Sequence, residues 1–434
     1  MASVSLSAIA ILSALFFGSV YPWSMAIIAF LAVVTFIYFL WSTKDDTAQF
    51  TNEKGIIFAA LLLFSYPLFQ LVPLPVSLLN LLHPKFRDLM TISPNEVPSF
   101  HSISVYPFAT EMEICRLFIY LTVFIVASFG IKDEEGVTRV MKVLVVFGFV
   151  LGLFAVIQHA TWNGKIYWIK KPFYADVLPF GPFVNKNHYA GFMEMIIPLS
   201  LGLSLRSRRN EKKLLFAFLG ITMAVTLFFS LSRAGMISFL AGMIVFSVLV
   251  LGRGMSRKKL IPVALFALIV AGYLLFLGIS PIIARFTPGE VSTGNRISAW
   301  MGTLSAFRDY AFLGSGFGTF QYIFKIYQPD GLYLYWAHAH NDYLQLLLEL
   351  GIAGTIVVAV FLFVVLKTII KAEWGGGDLY LKAALLSSIS SIAVHSIVDF
   401  NLHIPSNGLL FFLILGLGVS LSRNRMEDKR LAKR

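Results

Sequence analysis

Apolar residues run along this chain in long blocks separated by short polar interruptions. A helix needs about 20 mostly apolar residues to cross a bilayer. Twelve stretches meet that rule: 4–21, 24–41, 56–81, 113–131, 140–160, 188–205, 214–231, 234–252, 260–280, 343–370, 382–400 and 407–422. The pattern predicts an all-α polytopic membrane protein of about 12 transmembrane helices, one integral membrane domain over 1–434. The polar intervals on one side are long: 82–112, 161–187 and, between spans nine and ten, 281–342. The last is expected to be partly helical, with an amphipathic helix near 297–310 followed by G-S-G-F-G at 314–318. Structureless loops of that length are uncommon and usually functional.

Composition strengthens this reading. The chain is 57% hydrophobic and 13% charged, against roughly 25% charged in soluble domains, and its mean hydropathy is +0.78. The net charge of +12 does not call for nucleic acid, because Lys and Arg collect in the cytoplasmic loops of membrane proteins. With the N-terminus inside, the inner loops hold Lys44 and Lys54, Lys132 and Arg139, the 206–213 cluster, and Arg253 to Lys259. The segment 423–434 then forms a basic cytoplasmic tail. The first apolar stretch lacks a charged leader and a small-residue cleavage site, so it reads as a membrane helix. Cys115 lies in an apolar run and offers neither a disulfide framework nor a cysteine metal site. No P-loop is present, which argues against ATP hydrolysis.

That orientation puts all eight histidines at or near outer span ends or in outer loops. The densest polar cluster is W-A-H-A-H-N-D-Y, 336–343, where the large loop meets the tenth span. Titratable side chains at the mouth of an apolar helix are costly and point to function. Asn341 is the expected N-cap, and the positive helix end disfavours a protonated imidazole at His340. A neutral imidazole is what a general base requires. His338 precedes the helix and is expected to line the same cavity. Glu349 falls half a turn out of phase and is given a buried structural role. The run 343–370 spans roughly 40 Å at 1.5 Å per residue, so it should project above the lipid or bend near Gly351 and Gly354.

Other polar positions sit at the same face. Arg233, in S-R-A-G, lies in a turn too short to leave the interface, where a guanidinium either anchors the chain or grips an anion. Arg296 opens the amphipathic helix. N-K-N-H, 185–188, begins the sixth span, with Asn185 and Asn187 as caps and Lys186 and His188 beside them. His395, Asp399, Asn401 and His403 close the eleventh.

Taken in order, F-V-N-K-N-H-Y-A-G, S-R-A-G, N-R-I-S-A-W with G-S-G-F-G, H-N-D-Y-L-Q-L-L-L-E-L-G-I-A-G and H-S-I-V-D-F-N-L-H-I-P-S-N resemble the O-antigen ligase and polymerase superfamily. The resemblance covers about 100–420. It implies transfer of a glycan from undecaprenyl diphosphate to an acceptor hydroxyl at the periplasmic face of the bacterial inner membrane, without metal, nucleotide or other cofactor. By matching positions it makes His340 the base and Arg233 and Arg296 the diphosphate ligands. His338, Asn341, Asn187, Lys186, His188, His395 and Asp399 are candidate supporting residues. The density of motifs leans toward a ligase acting on lipid A-core. A polymerase of O-antigen, capsule or exopolysaccharide units is the next reading. The chain ends soon after its twelfth span, which weighs against a protein acceptor. A transporter or flippase would place polar groups near the midplane and show repeated halves, neither of which the sequence displays.

Overall fold

A computed structural model describes residues 1–44, 53–82, 99–172, 179–251, 265–268, 270–272, 275, 291–333, 335–372 and 377–432. The expected ninth span at 260–280, the start of the large loop at 281–290, His83 and the basic 253–259 loop fall wholly or largely outside the described residues. What is described is mostly helical: α1 (Ala2–Leu15), α2 (Pro22–Thr43), α3 (Lys54–Phe69), α4 (Val76–Leu82), α5 (Pro107–Gly130) and α6 (Glu134–Ala160). There follow α7 (Lys186–Arg206), α8 (Asn210–Phe229), α9 (Arg233–Leu251), α10 (Val291–Asp309), α11 (Phe320–Tyr327), α12 (Asp342–Lys371), α13 (Asp378–His395) and α14 (Pro405–Ala432). One departure from an all-helical chain is a small antiparallel pair, β1 (Pro73–Pro75) with β2 (Phe100–Ser102).

Among the described residues, seven helices are long and apolar enough to cross a membrane: α2, α5, α6, α8, α9, α12 and α14. The chain is a multi-pass membrane protein. Helices α1 and α3 are apolar but shorter. Helices α7 and α13 are also long, yet outside that set, and burial explains why. Nearly every side chain of α7 from His188 to Ser204 is buried, as is most of α13. A helix that meets protein and not lipid has no need to be greasy on all sides; it needs small residues for close approach. Gly202 of α7 lies where a Cβ would press on Ala384 and the Tyr380 carbonyl of α13. On the other flank of α13, Ser387 donates to the Gly242 carbonyl of α9 at 2.7 Å, and Ser388 to the Met195 carbonyl of α7 at 2.6 Å. Helix α14, also largely buried, packs along α5.

Asn185 and Asn341 cap as expected, whereas Asn187 turns its side chain to Asp399 and Ser232. Asn185 Oδ1 accepts from the Asn187 N–H at 2.9 Å, and Asn341 Oδ1 accepts from Tyr343 and Leu344 at 3.1 and 3.0 Å. Helix α12 resolves its excess length by breaking at Gly351, whose φ of 64° and ψ of −174° are not helical. The break is filled by the turn before α11. Ser315 and Gly316 donate to the carbonyls of Leu348 and Glu349, and Ile352 and Ala353 donate to those of Ala311 and Phe312. Gln70 and Tyr66 of α3 clamp the junction by donating to Glu349 and Leu350 carbonyls at 2.9 and 2.8 Å. A side chain at 351 would collide with the Phe312 carbonyl and Gly314 N–H, besides the roughly 1–3 kcal/mol that this essentially glycine-only backbone conformation costs. Gly351→Ala should therefore lower the thermal unfolding midpoint in detergent, whereas the same change at the open Gly164 turn costs only its own φ strain.

Glu349 has the buried role its helical phase suggested. Its carboxylate accepts from the Gly318 and Phe320 N–H groups at 2.9 and 3.1 Å, capping α11. Helix α10 covers the expected amphipathic segment, with small residues Ala299, Thr303 and Ala306 turned inward. Its Ile297 and Met301 are exposed, so the apolar stripe is not the buried one.

Candidate active site

Three segments converge outside the helical bundle: 336–341 before α12, the turn 396–404 between α13 and α14, and α10 at Arg296 and Trp300. Asp342 ties the first two together. Its N–H donates to the Ser396 carbonyl at 2.9 Å, and its carboxylate accepts from Ser396 Oγ at 2.8 Å and from the Leu402 N–H at 3.2 Å. His403 Nδ1 lies 2.6 Å from the same carboxylate. Burial opposes charge on His403, but the Asp342 hydrogen bond and nearby carboxylates outweigh it, so its pKa is raised.

Asp399 is the centre of the cluster and is fully buried. Oδ1 stands 3.4 Å from His340 Nδ1, and Oδ2 stands 3.5 Å from an Arg296 guanidinium nitrogen. Asn187 Nδ2 donates to Oδ2 at 2.6 Å. Arg296 also donates to the Val398 carbonyl at 2.7 Å. Burial alone would push the Asp399 carboxyl up, but His340, Arg296 and His188 together hold it well below the usual carboxylate range. Its Oδ1 also accepts from the Phe400 N–H at 2.9 Å, so four residues face this carboxylate, three of them from α7, α10 and the α12 approach.

His340 itself is in the left-handed region, with φ of 50°, a conformation that non-glycine residues adopt at a cost and that tends to mark functional sites. Several bonds hold it there. Trp300 Nε1 donates to the Ala339 and His340 carbonyls at 3.1 and 3.3 Å, and Ala339 N–H donates to Gln345 Oε1 at 3.1 Å. The ring packs edge-on against Phe400 and Trp336, with centroids 4.7 and 5.3 Å away. Its side chain keeps 24% exposure although Nδ1 is buried, so the accessible edge is the one carrying Nε2.

The remaining sequence candidates fall into three groups. His338 and His188 flank the other faces of Phe400, His338 stacked at 4.3 Å and His188 edge-on at 4.9 Å. Burial, followed by the nearby cations, drives the His338 pKa well below its ordinary value, so its ring is neutral. Arg233 and Lys186 open α9 and α7 beside the cluster. The residue before Arg233, Ser232, donates to Asn187 Oδ1 at 2.8 Å and so joins the Asp399 array. His395 is not at this surface. It is fully buried against Glu194 of α7 at 3.0 Å, one layer inside the bundle, where it braces α13 on α7. Asn341 acts as the cap. Sequence reasoning passed over Ser232, Trp300 and Phe400, because an isolated serine, tryptophan or aromatic carries no signal until the fold gathers it, and it gave Asp342 and Gln345 no role. Among the described residues no three His, Cys, Asp or Glu side chains converge as metal ligands.

Residues 218–359, from α8 into α12, match the family described as O-Antigen ligase. This match supports the resemblance to the O-antigen ligase superfamily over that segment. The matched segment contains Arg233, Arg296, His338 and His340, while Asn187 and Asp399 lie outside it and are brought in by the fold. No curated protein matches the chain. The superfamily carries out glycan transfer of the O-antigen ligase or polymerase type.

Proposed function

We propose that this protein transfers a glycan from undecaprenyl diphosphate to an acceptor hydroxyl at the periplasmic face of the bacterial inner membrane, with both termini cytoplasmic. The acceptor of the ligase reading is lipid A-core. The observation that carries the proposal is Asp399, one buried carboxylate with an imidazole nitrogen 3.4 Å from one oxygen and a guanidinium nitrogen 3.5 Å from the other.

An imidazole whose Nδ1 faces a carboxylate keeps its proton there and presents Nε2 as the base. Nε2 takes the proton of the acceptor hydroxyl, and the oxygen attacks the anomeric carbon. The bond from that carbon to the diphosphate oxygen breaks, and configuration inverts. The leaving group departs as an anion and needs positive charge, not a proton. Arg296 has five N–H donors; the Val398 carbonyl and Asp399 occupy some and leave others for phosphate. Arg233 and Lys186 add to a positive rim around the single Asp399 charge.

The donor's long chain needs an apolar berth beside Arg233. A cavity of about 1180 Å³ along α6, α7 and α8 meets that need. It runs from Lys213 to Thr226 and Phe229, four residues before Arg233. Undecaprenyl diphosphate laid there brings its phosphates to the start of α9.

Reconstitution with a lipid-linked glycan and alternative acceptors tests the reading, since the product separates ligation from polymerisation. In that system Arg233→Lys should raise the KM for donor by roughly tenfold or more, the scale of one lost hydrogen bond to a charged group at ~1.5–3 kcal/mol. An ammonium cannot reproduce a guanidinium's paired contact with phosphate. Unchanged donor affinity in this variant would remove Arg233 from the diphosphate site.

A further inference from the structure

A narrower cavity, about 270 Å³, follows α12 on the other side of the His340 cluster. It is shaped for an amphiphile. Its polar groups gather at the Asp342 end, where Glu113, Arg116 and His403 also line it. From there it runs down past Val358 and Leu362 to Leu366 between apolar walls, roughly 35 Å of helix at 1.5 Å per residue.

We propose that this slot holds a single hydrocarbon chain of a membrane-anchored acceptor, with the acceptor's hydroxylated head group seated at Arg116 and His403. The inference rests on the glycan-transfer reading for the word acceptor, and on the slot alone for the chain.

Four observations support it. The volume is less than a quarter of that beside α8, so the slot admits one chain and excludes a long isoprenoid. Arg116 pairs with Glu113 at 2.8 Å and reaches the His403 carbonyl at 3.4 Å, which leaves several guanidinium donors for a ligand. One turn below, Tyr120 lines the slot, and its buried hydroxyl has no hydrogen-bond partner among the described residues. A buried hydroxyl is normally bonded, and a head-group oxygen beside Arg116 satisfies it. Finally, the polar end is continuous with the base: the His403 ring lies 5.0 Å from His338, which stacks on the Phe400 that also packs against His340. The Asp399, Arg296 and Asn187 array occupies the opposite flank. Donor phosphate and acceptor hydroxyl thus reach the His340 region by separate routes.

The test uses the full chain in proteoliposomes and a dodecyl glycoside bearing a diazirine at mid-chain. Photolysis should label α12 at Val358 or Leu362, and Val358→Trp and Leu362→Trp, which fill the slot, should each abolish that label. With lipid-linked donor, the same variants should raise the KM for the dodecyl glycoside at least tenfold. They should leave the donor KM and transfer to a water-soluble glycan acceptor unchanged. Labelling spread evenly over bilayer-facing residues such as Ile37 and Val248, and indifferent to the two substitutions, would show only bulk lipid contact and overturn the slot. A rise in donor KM would assign the slot to the donor chain and overturn the proposal equally. Wild-type protein that labels at the slot but transfers glycan to no acceptor would sink the glycan-transfer reading while leaving the hydrocarbon site standing.

Discussion

Purified His340→Ala protein is expected to lose glycan transfer by about 10²–10⁴-fold, the usual worth of a positioned general base. The loss should appear in kcat, with the donor KM close to wild type, because the proposed phosphate contacts are assigned to Arg296 and Arg233. Stability should change little. The ring is partly exposed, and its packing is limited to the edges of Phe400 and Trp336. The alanine removes no partner that Asp399 needs, since Arg296 and Asn187 remain. Unfolding in detergent, donor binding and turnover measured on the same preparation separate a chemical defect from a folding one. Turnover like that of the wild type would end the assignment of His340 as base.

His340 was legible in the sequence because polar residues at the head of a long apolar run are conspicuous. Asn341 as cap and the bend near Gly351 followed from local rules of helix ends and lengths. What was not legible is the partnership. Asp399 looked like one polar residue among several at a helix end; only the fold puts it between His340, more than fifty residues earlier, and Arg296, a hundred residues earlier. His395 illustrates the opposite failure. It shares a motif with Asp399, but His395 is the last residue of α13 and turns inward to Glu194, while Asp399 lies in the turn that follows. The spans show the same limit. Helices α7 and α13 lie at the centre of the bundle, so hydropathy, which measures fitness for lipid, understates them.

The G-S-G-F-G turn adds a link that no motif suggested. Its backbone fills the break in α12, and Glu349 caps α11 from the same place. Gln345, one turn above, bonds Glu349 at 3.0 Å and reaches back to Ala339. The strained backbone at His340 is therefore supported by the large loop through α12, and its φ is a property of that assembly.

Asp399→Asn should cost about 10²–10⁴-fold in turnover, the range seen when an orienting carboxylate beside a catalytic imidazole becomes an amide. The reason lies in the hydrogen-bond inventory. Arg296 and Asn187 can only donate toward Oδ2, so the amide oxygen takes that side, and the amide N–H₂ turns against the Phe400 N–H, which loses its acceptor, and to His340 Nδ1. That nitrogen must then accept, the ring proton moves to Nε2, and the edge facing substrate becomes a donor that cannot act as base. Arg296 also loses its charged partner, so the donor KM should rise as well, unlike in His340→Ala. The wild-type carboxyl is held well below the ordinary range, so its contribution to stability is present above the unfolded value of about 3.9 and is lost only as pH falls through the lower folded value. The variant should therefore be less stable at neutral pH, and the deficit should shrink in strong acid. Nitrogen-15 spectra of labelled histidine report the tautomer directly. An Asp399→Asn protein with wild-type kcat, or with the proton still on Nδ1, would refute the orienting role.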